Sequence, residues 1–332
     1  MLRFILKKIL FTCIVLVGAA TCAFLLLHAI PGDTAEALAG PQATAEDVEN
    51  LRQAMDLDKP LAEQYVNYMA GLLHGDLGYS YRSNQPVMTL MASALPATLQ
   101  LAVCSMVIAI LIGVPVGIFA AIHRGKIGDT IAMVLAFLGV SMPSFWLALL
   151  LIIEFSVRHP WFPFYGREGW SSFVLPSLTL GLGVAANIAR LTRTSMLEVL
   201  GQDYIRTAKG KGVRRQKVIW MHALRNAAVP VVTIIGLQFG VLLGGQVVTE
   251  TVFSWPGVGR MIVDALNTRD LQIIQGGILI LAFTFTMINL LTDFIYALID
   301  PRTGHWCGGG HRHLCGVPAD AGYGLRDLCR GV

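Results

Sequence analysis

Residues 201–230 read GQDYIRTAKGKGVRRQKVIWMHALRNAAVP, with seven Lys or Arg against a single Asp, and this stretch lies between two long apolar runs. Hydrocarbon cannot hold so many charges or a loop backbone without partners. The segment must therefore lie in water or against another protein, and the runs around it are the membrane part. Within it, Tyr204, Ile205 and Ala208 form a short apolar stripe flanked by Arg206, Lys209 and Lys211. Asp203 is the expected N-cap of a short helix that Gly210 and Gly212 break. Ser195–Leu200 should continue the preceding helix, Arg214–Asn226 should form a second amphipathic helix, and Pro230 should open the next span. The pattern predicts a compact knob projecting from the membrane.

The rest of the chain supplies the membrane. Its 332 residues are 55% hydrophobic and only 14% charged, with a mean hydropathy of +0.62. These values predict an all-α integral membrane protein. At roughly 20 apolar residues per span, six spans are expected: 9–30, 99–122, 131–157, 173–190, 228–248 and 273–298. The chain then divides into an N-terminal membrane helix (1–30), an external insert (31–98), a five-span core (99–302) containing the polar loop 191–227, and a tail (303–332) expected to be disordered.

With the N-terminus inside, eighteen Lys and Arg fall in the inside segments and seven outside. The positive-inside rule therefore puts both termini in the cytoplasm of a multi-pass inner-membrane protein. The net charge of +4 reflects this topology and does not imply nucleic acid. Arg3, Lys7 and Lys8 precede a run too long for a cleaved signal, so the first span is retained. Cys13, Cys22 and Cys104 fall in spans and Cys307, Cys315 and Cys329 in the tail, so no structural disulfide is expected.

Several polar groups invite chemistry. In the external insert, Thr44–Asp47 and Asp58–Pro60 read as helix starts, and His74–Val87 reads as loop with short extended pieces. His74 and Asp76 there are better read as local hydrogen-bonding groups than as a metal pair. Glu154 beside Arg158 reads as an interfacial pair, and Trp161, Phe162, Phe164, Tyr165 and Trp170 as an aromatic belt. Ser141–Ser144 should break the third span locally, while Pro115 between Gly113 and Gly117 suggests a kink or close helix contact. Between spans five and six, residues 250–266 suit a helix lying at the outer interface, with Trp255, Pro256 and Gly257 as a candidate external gate or binding-protein contact and a simple interfacial anchor as the alternative. Asn289 and Asp293, four apart in span six, are candidate pathway residues. The tail's His305, Cys307, His311, His313 and Cys315 have no standard zinc spacing, and no metal site is expected. A membrane enzyme should show convergent catalytic side chains, and a secondary transporter repeated halves with buried ions. Neither pattern is evident.

The polar segment resembles the EAA loop of bacterial ABC importer permeases. Ala208, Gly212 and Leu224 fit the general pattern. Asp203 through Gly212 and His222–Asn226 with Pro230-Val231 fit the DYxRTAxxKG and HALRNAxxPV form of the dipeptide, oligopeptide and nickel branch. PGD at 31–33, LDKP at 57–60, HGDLG at 74–78, SMLEVL at 195–200, FSWPGVGR at 253–260 and DPR at 300–302 agree, so the resemblance covers residues 1–302. It implies the six-helix type I permease fold and ATP-driven import of dipeptides or oligopeptides, with a nickel chelate as the alternative cargo. A self-sufficient channel is disfavoured.

The implied partners are a second homologous permease, two ATPase subunits, an external substrate-binding protein and membrane lipid. Asp203, Tyr204, Ile205, Arg206, Thr207, Ala208, Lys209, Gly210 and Gly212 would form the ATPase-coupling helix, supported by His222, Arg225 and Asn226. The chain lacks a phosphate-binding Gly-x4-Gly-Lys-Ser/Thr loop. No catalytic residue and no cofactor is therefore expected in it, and ATP with Mg belongs to the partner subunits.

Overall fold

The computed structural model describes residues 2–29, 34–39 and 43–299. Pro31–Asp33, the DPR at 300–302 and the 303–332 tail lie outside the described residues, as do the side chains of Asp293 and Tyr296. The first apolar run forms α1 (Leu2–Ala29). Three short helices follow, α2 (Thr34–Ala39), α3 (Ala45–Ala54) and α4 (Leu61–Leu73). At α3 the Thr44 hydroxyl accepts from the Asp47 N–H and the Asp47 carboxylate accepts from the Thr44 N–H, a reciprocal capping box at the helix start expected there. Aromatic packing of Tyr65 and Tyr68 on Phe24 holds α4 against α1. A two-residue hairpin, β1 (Tyr79–Ser80) and β2 (Gln85–Pro86), pairs Tyr79 with Pro86 in antiparallel register. His74 is bonded to the Ala70 carbonyl and Asp76 to the Gly78 N–H, the local roles expected.

Two expected spans are parts of longer helices. α5 runs over Val87–Ile122 with Pro96 and Pro115 inside it, so the last twelve residues assigned to the external insert (87–98) belong to the helix. α8 (Ser171–Leu200) continues ten residues past the expected end of span four. Neither Pro115 nor Pro176 ends its helix. Gly113 and Gly117 instead let α5 and α8 touch backbone to backbone: a Cβ on either would lie 2.6 Å from the carbonyl oxygen of Ala185 or Ala189. Leu101, Met106, Leu180, Val184 and Ile188 fill the rest of that seam.

The third span is not straight. α6 (Ile127–Ser141) and α7 (Ser144–Ile152, widening into a π-turn over Ile153–Arg158) meet at 101°. The cause is Pro143, which drives Met142 into extended backbone (φ −76, ψ 126). Glu154 and Arg158 pair at 3.0 Å beyond α7.

After α8 come α9 (Asp203–Gly210), a short α10 (Arg215–Lys217), a π-turn over Val218–Ala223 and α11 (Leu224–Gly245). The separate helix expected over 214–226 and the span start expected at Pro230 give way to one continuous helical path with Pro230 inside α11. A membrane helix tolerates such a proline when neighbouring groups take up the freed carbonyl. The chain ends in α12 (Val247–Val252), α13 (Val258–Thr268) and α14 (Leu271–Ile299). Among the described residues, five helices are long and apolar enough to cross a membrane, and six if the bent pair is one span. Phe11, Leu10, Leu135 and Phe137 leave large apolar surface open around the bundle, as a lipid-facing rim requires.

Candidate coupling site and the clamp at the opposite end

α9 is a one-sided helix. Ile205 is completely buried, among Ile118 and Ala121 of α5, Met196 of α8 and Val218, Ile219 and Ala223 of the following π-turn. Asp203, Tyr204, Arg206, Thr207, Lys209 and Gly210 are exposed, and Ala208 is half-buried. The expected cap is displaced by one residue: Gln202 is the N-cap with no side-chain bond, and Asp203 is the first helical residue. There its charge still favours the positive end of the helix dipole, and it lies 3.5 Å from Arg206.

The far end of α9 closes as a Schellman motif. The Val213 N–H donates to the Ala208 carbonyl and the Gly212 N–H to the Lys209 carbonyl, with Gly212 at φ +75. Glycine enters that left-handed conformation without the penalty a Cβ would add. The Asn226 amide donates to the Tyr204 hydroxyl at 2.9 Å and to the His222 carbonyl at 2.9 Å, so the supporting helix grips α9 through a second, polar point. His222 is half-buried and Arg225 exposed. The resulting surface is a basic face on a rigid turn, anchored from behind by one isoleucine.

Ile118 and Thr98 are both on α5 and twenty residues apart, about 30 Å of helix. At the Thr98 end the chain builds a second short-helix region. Trp255 is fully buried, donates its indole N–H to the Ala97 carbonyl at 3.0 Å and meets the Phe173 ring edge-on at 4.6 Å. Gly257 caps α13 without a side-chain bond; a Cβ there would lie 2.3 Å from the Glu250 carboxyl. Glu250 of α12, itself fully buried, accepts from the Thr98 hydroxyl at 2.7 Å and the Arg260 N–H at 3.1 Å. The Thr98 hydroxyl in turn accepts from the Val258 N–H at 2.9 Å. Glu250 thus satisfies the first turn of α13 from a neighbouring helix. Burial pushes its carboxyl above the ordinary range, opposed by the bonds from Thr98, Arg260 and Gly259.

The sequence reading missed Glu250 and Thr98. The available signal was a lone acid between an apolar span and a Gly-Val-Gly-Arg turn. Trp255 and Gly257 are packed into this clamp, while Pro256 is exposed and borders a groove of about 580 Å³ with Arg82, Ser93, Arg260 and Asp264. The candidate pathway residues are less informative. Asn289 faces α11, its side-chain oxygen 3.1 Å from where a Cβ on Gly240 would stand, and the side chain of Asp293 lies outside the described residues. Among the described residues no group of three or more His, Cys, Asp or Glu could hold a metal ion.

The geometry defines a class, a multi-span membrane bundle with a short basic helix at one end. The chain belongs to the family of binding-protein-dependent transport system inner membrane components. Residues 113–305 match the model of that family and residues 1–102 the model of its N-terminal region. It is 46% identical over 301 residues to a glutathione transport system permease protein, GsiC, from Escherichia coli O6:H1 (strain CFT073), covering 91% of this chain and 98% of the relative. It is 45% identical to GsiC proteins from Escherichia coli K12 and Salmonella choleraesuis (strain SC-B67) at the same coverage.

Inward-facing structures of the MetNI methionine ABC transporter share the fold. Two forms match with TM-scores of 0.56 and 0.52 at 19% and 18% identity, each over 64% of this chain and 97% of the solved chain. The protein is therefore an ABC importer permease of the inner membrane, a transport component and not an enzyme, and membership implies ATPase and substrate-binding partners. These three relatives are named for glutathione, and nickel is in none of their names.

Proposed function

We propose that the chain is one of two permease subunits of an importer for glutathione or a small peptide of similar size and charge. The observation that carries this is the 46% identity to a glutathione permease across 98% of that protein's length. Glutathione is itself a tripeptide, so the peptide class expected from the sequence narrows and the nickel chelate loses support. In this reading α9 sits on the cytoplasmic side, as the excess of Lys and Arg there favours, and both termini are cytoplasmic. Its exposed face, Asp203 to Lys209 with Gly212 behind it, seats in a groove of an ATPase subunit. Two such subunits hydrolyse Mg-ATP, a second homologous permease completes the pore, and an external binding protein delivers the cargo. ATP binding draws the ATPases together and the coupling helices with them, tilting the permease pair from inward-open to outward-open.

Calorimetry on the partner binding protein, against glutathione, dipeptides, longer peptides and nickel complexes, tests the cargo. Tight glutathione binding together with glutathione uptake by vesicles carrying the complete transporter is the expected result. A binding protein that takes only nickel complexes or long peptides overturns the assignment.

A further inference from the structure

A two-pronged ion pair lies outside both regions above. Arg193, on the stem of α8 below its membrane crossing, holds Asp129 in the first turn of α6 with a two-pronged contact. Nε meets Oδ1 at 2.6 Å and Nη2 meets Oδ2 at 2.7 Å. Asp129 is only 5% exposed and also accepts the Gly125 N–H at 3.1 Å, closing the turn between α5 and α6. A planar guanidinium fork on a carboxylate fixes orientation as well as distance. As a source of net stability such a partly buried pair is weak, since desolvation of Asp129 and solvent screening at Arg193 offset much of its attraction. Its directional constraint is the stronger clue.

The pair stands between two elements of different kinds. One helical turn beyond Arg193, Met196 packs in the cluster that anchors Ile205 of α9. One residue before it, the Thr192 side chain presses on Gly117 so closely that a Cβ there would lie 2.6 Å away. The α8 stem is therefore rigid against α5 and continuous with the seat of the coupling helix. On the other side, α6 leads from Asp129 to the 101° break at Met142-Pro143, where the helical hydrogen bonding is interrupted. We propose that Asp129 and Arg193 are a positioning pair that makes the α6–α7 bend follow the coupling helix, so that ATPase closure is converted into a change of shape within the membrane. This rests on the reading of α9 as the ATPase-coupling helix.

The test uses the complete transporter in vesicles with loaded binding protein, reading cargo taken up per ATP hydrolysed. Asp129→Asn and Arg193→Gln should each lower that ratio about tenfold. The double variant should be no worse than either single, because both remove one link. Arg193→Lys, which keeps the charge without the fork, should fall between. Spin labels on α7 and α9 should lose their ATP-dependent distance change in the single variants while all subunits still co-purify.

Single variants with the parent ratio, effects that multiply in the double, or loss of the ratio only through failed assembly would each overturn the proposal. Gly212→Asp serves as the control for the underlying reading. If that variant takes up cargo normally, the assignment of α9 fails. If Gly212→Asp uncouples while Asp129→Asn does not, only the positioning pair fails.

Discussion

The two ends of α5 hold short helices in opposite ways. At one end α9 rests on a single buried side chain, Ile205, and one hydrogen bond from Asn226 to Tyr204, with its charged face open. At the other, Trp255, Glu250 and Thr98 are all buried and tie α12, the turn after it and α13 to α5 and to each other through four polar contacts, with almost no tolerance for an added atom at Gly257. The difference separates an open charged face on a lightly held helix from a joint with little room to move. A helix with one anchor can be carried by a partner as a unit, whereas a helix capped by a buried carboxylate cannot shift without leaving donors unpaired.

The contrast can be broken most forcefully at the clamp. Glu250→Ala leaves the Thr98 hydroxyl and the Gly259 and Arg260 N–H groups of α13 without an acceptor. Thermal unfolding in detergent should show a loss of about 3 kcal/mol or more, and an unchanged midpoint would mean that the clamp is not a fixed joint. Because burial raises this carboxyl above its ordinary value near 4.5, the sign of its pH dependence is set. The stability it contributes is full below that value and is lost as pH rises through the higher folded-state value. Glu250→Gln should flatten that part of the stability profile.

Ile205→Ala comes next, at about 2–4 kcal/mol, felt locally. Hydrogen exchange should accelerate over 203–210 while the membrane helices stay protected, and a global loss would show that α9 is as integrated as α13. Gly212→Ala should cost about 1 kcal/mol, seen as fraying of the end of α9. The smallest effect on stability belongs to Arg206→Ala. The side chain is 76% exposed and its contact with Asp203 is long, so unfolding should move by less than about 0.5 kcal/mol. Co-purification of the ATPase subunits should nonetheless weaken, and a variant that retains them fully would remove the docking role from this face.

The sequence made the short-range features legible. The helix start at Thr44, the short extended pieces before α5, the glycine break after α9 and the close contacts at Gly113 and Gly117 all depend on neighbours or on a local spacing. What it hid depends on distance along the chain. Glu250 meets Thr98 across 152 positions and Arg193 meets Asp129 across 64, and nothing beside either acid in the chain points to its distant partner. Boundaries failed for a related reason. The start of α5 at Val87 and the unbroken path through Pro230 are set by packing in a bilayer, where an interrupted backbone costs more than an awkward proline. The bend at Pro143 was visible as a break, but its 101° was not, because a proline says that a helix is interrupted and not where the next one goes.

α5 has 36 residues, about 54 Å at 1.5 Å per residue, against a hydrocarbon layer of about 30 Å. Such a rod must tilt or overhang, and its two ends are side by side with the two regions compared above. Sealed to α8 along Gly113 and Gly117, it is stiff where most spans could flex. A push at the Ile118 end therefore reaches the Thr98 clamp through unbroken helix and not through a loop, with α5 and α8 loaded as one body.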